Sequence, residues 1–351
     1  MKAQTAKLLT GLAALMAAGI TTQAQETQGG SHYPRPCRKC FPILGEQRPD
    51  AVYDGARERN HHFASPYSFT TVDDPLGVAP YFAFADGIEG DLIVGQYVDS
   101  GGVPHGYVYD DRDQTWTTLD DPLADGYSVN TDIADGKIVG FYGDSEGNYP
   151  SFVYDGTTWT TINHPLAAPG PDGGTSAWGV NRDKVMGSYL DANGLNHGFV
   201  YSIRDQTWTT LDDPLAGTAS GLGTFAEGAL GDSVLGFYID SSGVYHGFIY
   251  NGRTWKEVEA PLAGTGEGQG TTLNGVSGNY ILADAIDSNG VLLGYIYDGC
   301  TWTPMDDPLA GTGPGQGTNP SNGDGHQIVG TYLDSNGAAH GFLATPTPTR
   351  H

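Results

Sequence analysis

TWTTLDDPL, running from Thr115 to Leu123, is a phrase to which the chain keeps returning. The other copies are SFTTVDDPL from Ser68, TWTTINHPL from Thr158, TWTTLDDPL from Thr207, TWKEVEAPL from Thr254 and TWTPMDDPL from Thr301. Successive copies are 47, 43, 49, 47 and 47 residues apart. A self-similar period of this size marks a solenoid, an array or a propeller, because each unit buries its apolar face only against its neighbours.

The residues inside one unit choose among these. The clearest copy of a second phrase is GVNRDKVMGSYLDANGLNHGFVY, from Gly179 to Tyr201. Its two β-branched and aromatic runs, VMGSY and HGFVY, flank Asp191-Ala-Asn-Gly194, which supplies Gly where a hairpin needs a positive φ. Equivalent turns begin at Asp99, Asp144, Asp240, Asp287 and Asp334. A further turn, such as the one at Asp155, leads into the TWTTLDDP strand, whose Thr and Trp favour a pleated surface and whose Pro ends it. A Gly-rich stretch then leads to a weaker strand such as TSAWGV from Thr175.

Four short strands in about 45 residues, with no helical period longer than two turns between them, describe a propeller blade. The phrases predict an all-β, six-bladed propeller over residues 61–347. The first TWTT-type strand precedes any complete unit, and HGFLA from His340 ends the last one. An N-terminal strand is therefore expected to complete and close the C-terminal blade, which removes exposed edges.

These units resemble the bacterial HAF-type extracellular repeats, with Gly replacing Ala in His105-Gly-Tyr, His197-Gly-Phe, His246-Gly-Phe and His340-Gly-Phe. The resemblance implies a secreted propeller and brings no catalytic motif. The turns at Asp155, Asn251 and Asp298, each leading to a Trp, are similar to shortened Asp-box turns, a folding element of sialidase-like propellers.

Lys2, the apolar stretch from Leu8 to Ile20 and Thr22-Gln-Ala24 have the order of a secretory signal peptide, expected over residues 1–24 with export to the periplasm or beyond. The apolar run is short for a membrane span. Residues 25–60 form a basic, Pro-containing segment, and residues 348–351 a tail. Within that segment Cys37-Arg-Lys-Cys40 admits a local disulfide, a metal site with His32, His61 or His62, or redox chemistry, while Cys300 reads as a small turn residue.

A net charge of -25 leaves no basic stripe for phosphates and argues against nucleic acid. Propeller topology places the D-S-x-G turns and DDPL loops on one face, collecting Asp73, Asp74, Asp99, Asp120, Asp121, Asp144, Asp191, Asp212, Asp213, Asp240, Asp287, Asp306, Asp307 and Asp334. Arg112, Lys137, Arg182, Lys184, Arg204, Arg253 and Lys256 fall in or beside turns of the opposite face. The ring is expected to be electrically polar, and Arg35, Arg38, Lys39, Arg48, Arg57 and Arg59 suit a strap folding onto the acidic side or a plain tether.

Recurrent residues serve the blade, so the informative positions are those where units disagree. The Trp of TWTT and the four His of HG[FY] read as packing elements, and the Asp of D-S-x-G as a turn acceptor. Calcium at the DDP pairs is the alternative, although no D-x-D-x-D-G loop is present. Nine residues before the Gly of V-G-x-Y, or its equivalent, stand Asp86, Thr131, Trp178, Glu227, Asn274 and Ser321. All six differ, and their strand is the innermost, so they should border the central channel. Trp178, with Tyr81, Phe82 and Tyr127, suits a sugar ring. Asp86 and Glu227, three units apart, are weak candidates for paired acid and base work on a glycosidic bond. His164, in place of the second Asp of DDP, is a tolerated variant or a base.

The readings are a secreted propeller binding an extracellular ligand, foremost a carbohydrate; a polysaccharide hydrolase or lyase with its site at the channel mouth; and an envelope scaffold binding protein through its acidic face.

Overall fold

The computed structural model describes residues 67–170 and 173–347. Strand β1 (Tyr67–Val72) is the first of the described strands and the last in the ring. Blade 1 comprises β2 (Phe84–Glu89), β3 (Leu92–Val98), β4 (Pro104–Asp110) and β5 (Thr115–Thr118). Blade 2 comprises β6 (Ser128–Ala134), β7 (Lys137–Tyr142), β8 (Ser151–Tyr154) and β9 (Trp159–Ile162). Blade 3 is β10 (Gly174–Asn181), β11 (Lys184–Leu190), β12 (Asn196–Ser202) and β13 (Thr207–Leu211), and blade 4 is β14 (Gly223–Leu230), β15 (Ser233–Ile239), β16 (Tyr245–Tyr250) and β17 (Trp255–Val258). Blade 5 is β18 (Gly270–Ser277), β19 (Tyr280–Ile286), β20 (Leu292–Tyr297) and β21 (Trp302–Pro304). In blade 6, β22 (Gly317–Asp324), β23 (Gln327–Leu333) and β24 (Ala339–Pro346) take β1 as their fourth strand.

The six-bladed propeller expected from the period is thus the fold, including its closure. β1 runs antiparallel to β24 from Tyr67 opposite Pro346 to Val72 opposite Gly341. Phe69 meets Phe342 edge-on at 5.4 Å, and His340 Nδ1 lies 2.7 Å from Asp73 Oδ2 just beyond the strand. Pairing the chain's first strand with its last leaves no open sheet edge between the ends of the ring.

The core is divided among the blade interfaces. Val94, Ile133, Ile138 and Phe152 pack blades 1 and 2; Val139, Val153, Ala177 and Val185 pack blades 2 and 3; Met186, Leu211 and Ala226 pack blades 3 and 4. Leu235, Leu273 and Ile281 join blades 4 and 5, Leu282, Ile328 and Phe342 join 5 and 6, and Ile93, Tyr107 and Val329 join 6 and 1. Each Trp of the repeat lies against an aromatic residue of the adjacent strand, as Trp208 does against Tyr201 at 4.4 Å. A fully buried ring such as Phe199 would cost about 3–5 kcal/mol on truncation to Ala.

Inner strands leave the DDPL loops and end in tight turns at the opposite face, where Arg112, Lys137, Arg182, Lys184 and Arg204 stand among Asp91, Asp110, Asp135, Asp183 and Asp232, so that face is mixed in charge and not basic. β1 begins and β24 ends on the face opposite the DDPL loops, which puts both ends of the described chain there. The signal-peptide, Cys37–Cys40, histidine-ligand and strap assignments, and the tail from 348, lie outside the described residues.

Candidate functional site

The six disagreeing positions share one structural cause. Each inner strand carries a β-bulge, with register shifts between Ala85 and Gly87, Asn130 and Asp132, Ala177 and Gly179, Ala226 and Gly228, Leu273 and Gly275, and Pro320 and Asn322. The extra residue in each is Asp86, Thr131, Trp178, Glu227, Asn274 or Ser321. A bulge residue has no cross-strand partner and is re-aimed out of the pleat. All six line one cavity at the centre of the ring, together with Gln96, Asn319 and Asn322.

That cavity measures about 60 Å³, room for a few waters at roughly 10–15 Å³ each and not for a sugar ring. Its small size follows from the residue after each bulge. A Cβ on Gly179 would fall 2.2 Å from the Glu227 carbonyl oxygen, and one on Gly275 would fall 2.2 Å from that of Ser321, so neighbouring blades touch backbone to backbone. Asp132 and Asn322 fill the same position in blades 2 and 6. Asn322 Nδ2 donates to Asp132 Oδ1 at 2.7 Å, while Asp132 also accepts from the Val180 N–H at 2.8 Å.

The enclosed carboxyls respond to this setting. Burial pushes Asp86 up to about 8, opposed by a hydrogen bond from Gln96 and reinforced by the charge of Asp132. Glu227 is likewise pushed up to about 8 by burial, then by Asp284. Burial raises Asp132 to about 7 and Asp284 to about 6, although both accept several hydrogen bonds. Asp86 and Glu227 therefore share a cavity, as the three-unit spacing predicts, and burial raises both carboxyls.

The aromatic platform expected from Trp178 also takes another form. Its indole Nε1 donates to Ser188 Oγ at 3.2 Å and its ring stands edge-on to Phe141 at 5.3 Å. Tyr81 stacks on Phe84, Phe82 stacks on His340, and Tyr127 packs against Phe141 and Tyr149; none of the three lines the cavity. Trp178 and Phe82 thus join neighbouring blades, while Tyr81 and Tyr127 pack within their own.

Repeated polar residues serve the acidic face. His105, His197 and His340 each place Nδ1 2.7 Å from the first Asp of DDP, and His246 places it 2.8 Å from Glu259. Each ring stacks on the Tyr of its V-G-x-Y or equivalent strand, at 4.9–5.3 Å. Asp99 accepts the N–H groups of Gly101 and Val103 at 2.8 and 2.9 Å, and its counterparts do the same. The second Asp of DDP accepts an N–H two residues on, at 2.8 Å in Asp74, Asp121, Asp213 and Asp307. In the DDP pairs weighed for calcium, the second Asp is thus a turn acceptor and the first, in blades 1, 3 and 6, faces a histidine. His164 copies the second Asp with an imidazole: its Nδ1 accepts the Leu166 N–H at 3.2 Å while the ring lies on Tyr189 at 3.7 Å. Burial lowers its pKa to about 4, which keeps that nitrogen unprotonated.

On the opposite face lies a larger pocket that the repeat pattern does not announce. It measures about 240 Å³ between blades 3 and 4 and is lined by Asn181, Arg182, Asp183, Lys184, Arg204 and Asp232 above Met186, Ala229 and Val234. Arg182 stands at φ 57, where Gly90, Gly231, Gly278 and Gly325 take the same left-handed turn position in four other blades. Its N–H donates to Asp135 Oδ2 at 2.8 Å, which anchors the turn to blade 2. Arg204 Nη2 lies 3.5 Å from Asp183 Oδ1.

No protein-family model matches the chain, and no curated protein matches it by sequence. Solved structures resemble it in architecture. A fungal lectin from Aleuria aurantia, a six-bladed propeller with a fucose recognition mode, is 17% identical over 79% of this chain and 99% of its own, with a TM-score of 0.48. AofleA from Arthrobotrys oligospora is 11% identical over 81% of this chain and 87% of its own, at 0.46. The propeller domain of the Trilobed protease from Pyrococcus furiosus is 12% identical over 74% and 95%, at 0.41.

One signal for the Arg182 pocket exists in the sequence: aligning the tight turns puts Arg182 against Gly in four units. Among the described residues no helix is long and apolar enough to cross a membrane.

Proposed function

We propose that this chain is an exported, HAF-like propeller that binds a carbohydrate bearing an acidic group, without transforming it, in the pocket between blades 3 and 4. The observation that carries this reading is Arg182, kept at φ 57 where four of the other blades have Gly and blade 2 has Asp135 at φ 52. Such a conformation costs roughly 1–3 kcal/mol and persists where the side chain has a task. Arg182, Lys184 and Arg204 outnumber Asp183 and Asp232 in the pocket lining of a strongly acidic protein, and a guanidinium pairs with a carboxylate or sulfate through two parallel hydrogen bonds. Asn181, Asp183 and Asp232 offer partners for hydroxyls, and the half-buried Val234 offers apolar contact to C–H faces.

The test is calorimetric titration with oligouronates and matched neutral oligosaccharides, with size-exclusion of the polymers afterwards. Oligouronate binding, unaltered by Trp178→Ala and lost in Arg204→Ala, is the expected result. Binding to neither set, or unchanged in Arg204→Ala, overturns the reading, and shortened polymers make the protein an enzyme.

The acidic face supports a second reading. Leu76, Leu123, Leu166, Leu215, Leu262 and Leu309, one from each DDPL, NHPL or EAPL loop, are 60–74% exposed. A ring of apolar points among carboxylates suits a basic polypeptide with apolar side chains, the envelope-protein partner of the scaffold hypothesis. Replacing the six with Asn should abolish capture of immobilised basic amphipathic peptides; unchanged capture would remove this reading.

A further inference from the structure

Blade 4 departs from the repeat where its histidine is paired. In blades 1, 3 and 6 the residue two places before the first Asp of DDP is Thr118, Thr210 or Thr71, each partnered with a tyrosine hydroxyl of its blade. Blade 4 has Glu257 in place of that Thr and Glu259 in place of the Asp. The substitutions add a second carboxylate beside one imidazole. His246 Nδ1 lies 2.8 Å from Glu259 Oε1, and Tyr238 Oη donates to Glu257 Oε2 at 2.7 Å. One ligand atom from each of His246, Glu257 and Glu259 lies within 4.8 Å of the others, a grouping that no other blade forms among the described residues.

The surroundings add negative charge and no paired cation. Asp240 Oδ2 stands 3.6 Å behind His246 Nε2, and Asp213 feels the charge of Glu257. Lys256, next in the chain, leans over the Tyr297 ring at 6.0 Å. Among the described residues neither glutamate is ion-paired with Lys or Arg, and burial raises the carboxyl of Glu259. An imidazole nitrogen with two carboxylate oxygens is a donor set for a divalent transition metal, and a carboxylate behind the far ring nitrogen is the partner that orients a ligating histidine.

We propose that His246 Nδ1, Glu257 and Glu259 bind one divalent transition-metal ion, with Zn²⁺ preferred because of the imidazole. Metal bonds of about 2.0–2.2 Å require the ligand atoms to close together, a movement within the rotamer freedom of two glutamates. The side chains of His246 and Glu259 are 23% and 40% exposed, so water can complete the coordination.

The experiment uses the full chain after chelator treatment, titrated with Zn²⁺ by calorimetry and with Co²⁺ by visible absorption. Glu257→Thr restores the residue found in the other blades, and a thermal melt verifies its fold. The parent should bind one ion more than this variant, and that ion should show the visible bands of a low-symmetry Co²⁺ site. Thr118→Glu with Asp120→Glu, which copies the arrangement into blade 1, should add one ion to the parent's count. Equal ion counts and affinities in parent and Glu257→Thr overturn the proposal, including the case in which neither binds.

Discussion

Asn322 Nδ2 donates to Asp132 Oδ1 at 2.7 Å, a bond that ties blade 6 to blade 2 past the intervening blade 1. It fits because blade 1 has Gly87 at the same position: a Cβ there would stand 2.8 Å from both Asp132 Cα and Ile133 N, backbone atoms that cannot swing aside. Asn322→Ala should lower stability by about 0.5–1.5 kcal/mol by removing one hydrogen bond from Asp132, whose Oδ1 still accepts the Ile133 N–H. Gly87→Ala should cost more, since two blades must separate. Urea midpoints rank the two, and the reverse order would mean the axis is open at this level.

The enclosed carboxyls set a pH dependence opposite to that of salt-bridged acids. Asp86 and Glu227, raised to about 8, hold protons in the folded chain that the unfolded chain has released above about pH 4. Stability therefore falls as pH rises between about 4 and 8, with Asp284 and Asp132 contributing up to about 6 and 7. Asp86→Asn and Glu227→Gln should melt higher than the parent near pH 9 and equally near pH 4. Melting curves that stay parallel across this range would show that these carboxyls are solvated.

Strand count, closure and the ring of Asp86, Thr131, Trp178, Glu227, Asn274 and Ser321 were legible because a repeat makes its own alignment. What one sequence cannot display is how neighbouring blades meet. The bulges that aim those six inward, the contacts at Gly179 and Gly275 that shrink the cavity, and the Asn322 bond all depend on blades about 47 residues apart and on sheet twist. Trp178 read as a platform because nothing local reveals that Ser188 and Phe141 engage it. Arg182 looked like any basic turn residue until its φ and the walls from blade 4 gave it a pocket.

His164 provides a test of substitution by equivalent geometry. Its folded pKa of about 4 lies below the ordinary value, so its contribution is complete above about pH 6.5 and is lost as pH falls toward 4. The aspartates at its counterparts, Asp74, Asp121, Asp213 and Asp307, are shifted upward by burial, the opposite sign. His164→Asp should therefore gain stability relative to the parent as pH drops from about 6.5 to 4. Thermal melts across that interval measure it; a difference independent of pH would mean that His164 is not held neutral by its setting.

Arg182→Gly separates the needs of the fold from those of the pocket. Glycine relieves the left-handed conformation at φ 57, while the bond from the backbone N–H to Asp135 is kept. The variant should be more stable by about 1 kcal/mol, after allowance for the greater freedom of Gly in the unfolded chain. Oligouronate affinity should meanwhile fall at least tenfold, about 1.4 kcal/mol, because the guanidinium is gone. Paired urea and calorimetric titrations give both quantities from one preparation. A gain in stability with unchanged binding would identify Arg182 as a tolerated turn residue, and a loss in stability would mean that its side chain holds blades 3 and 4 together.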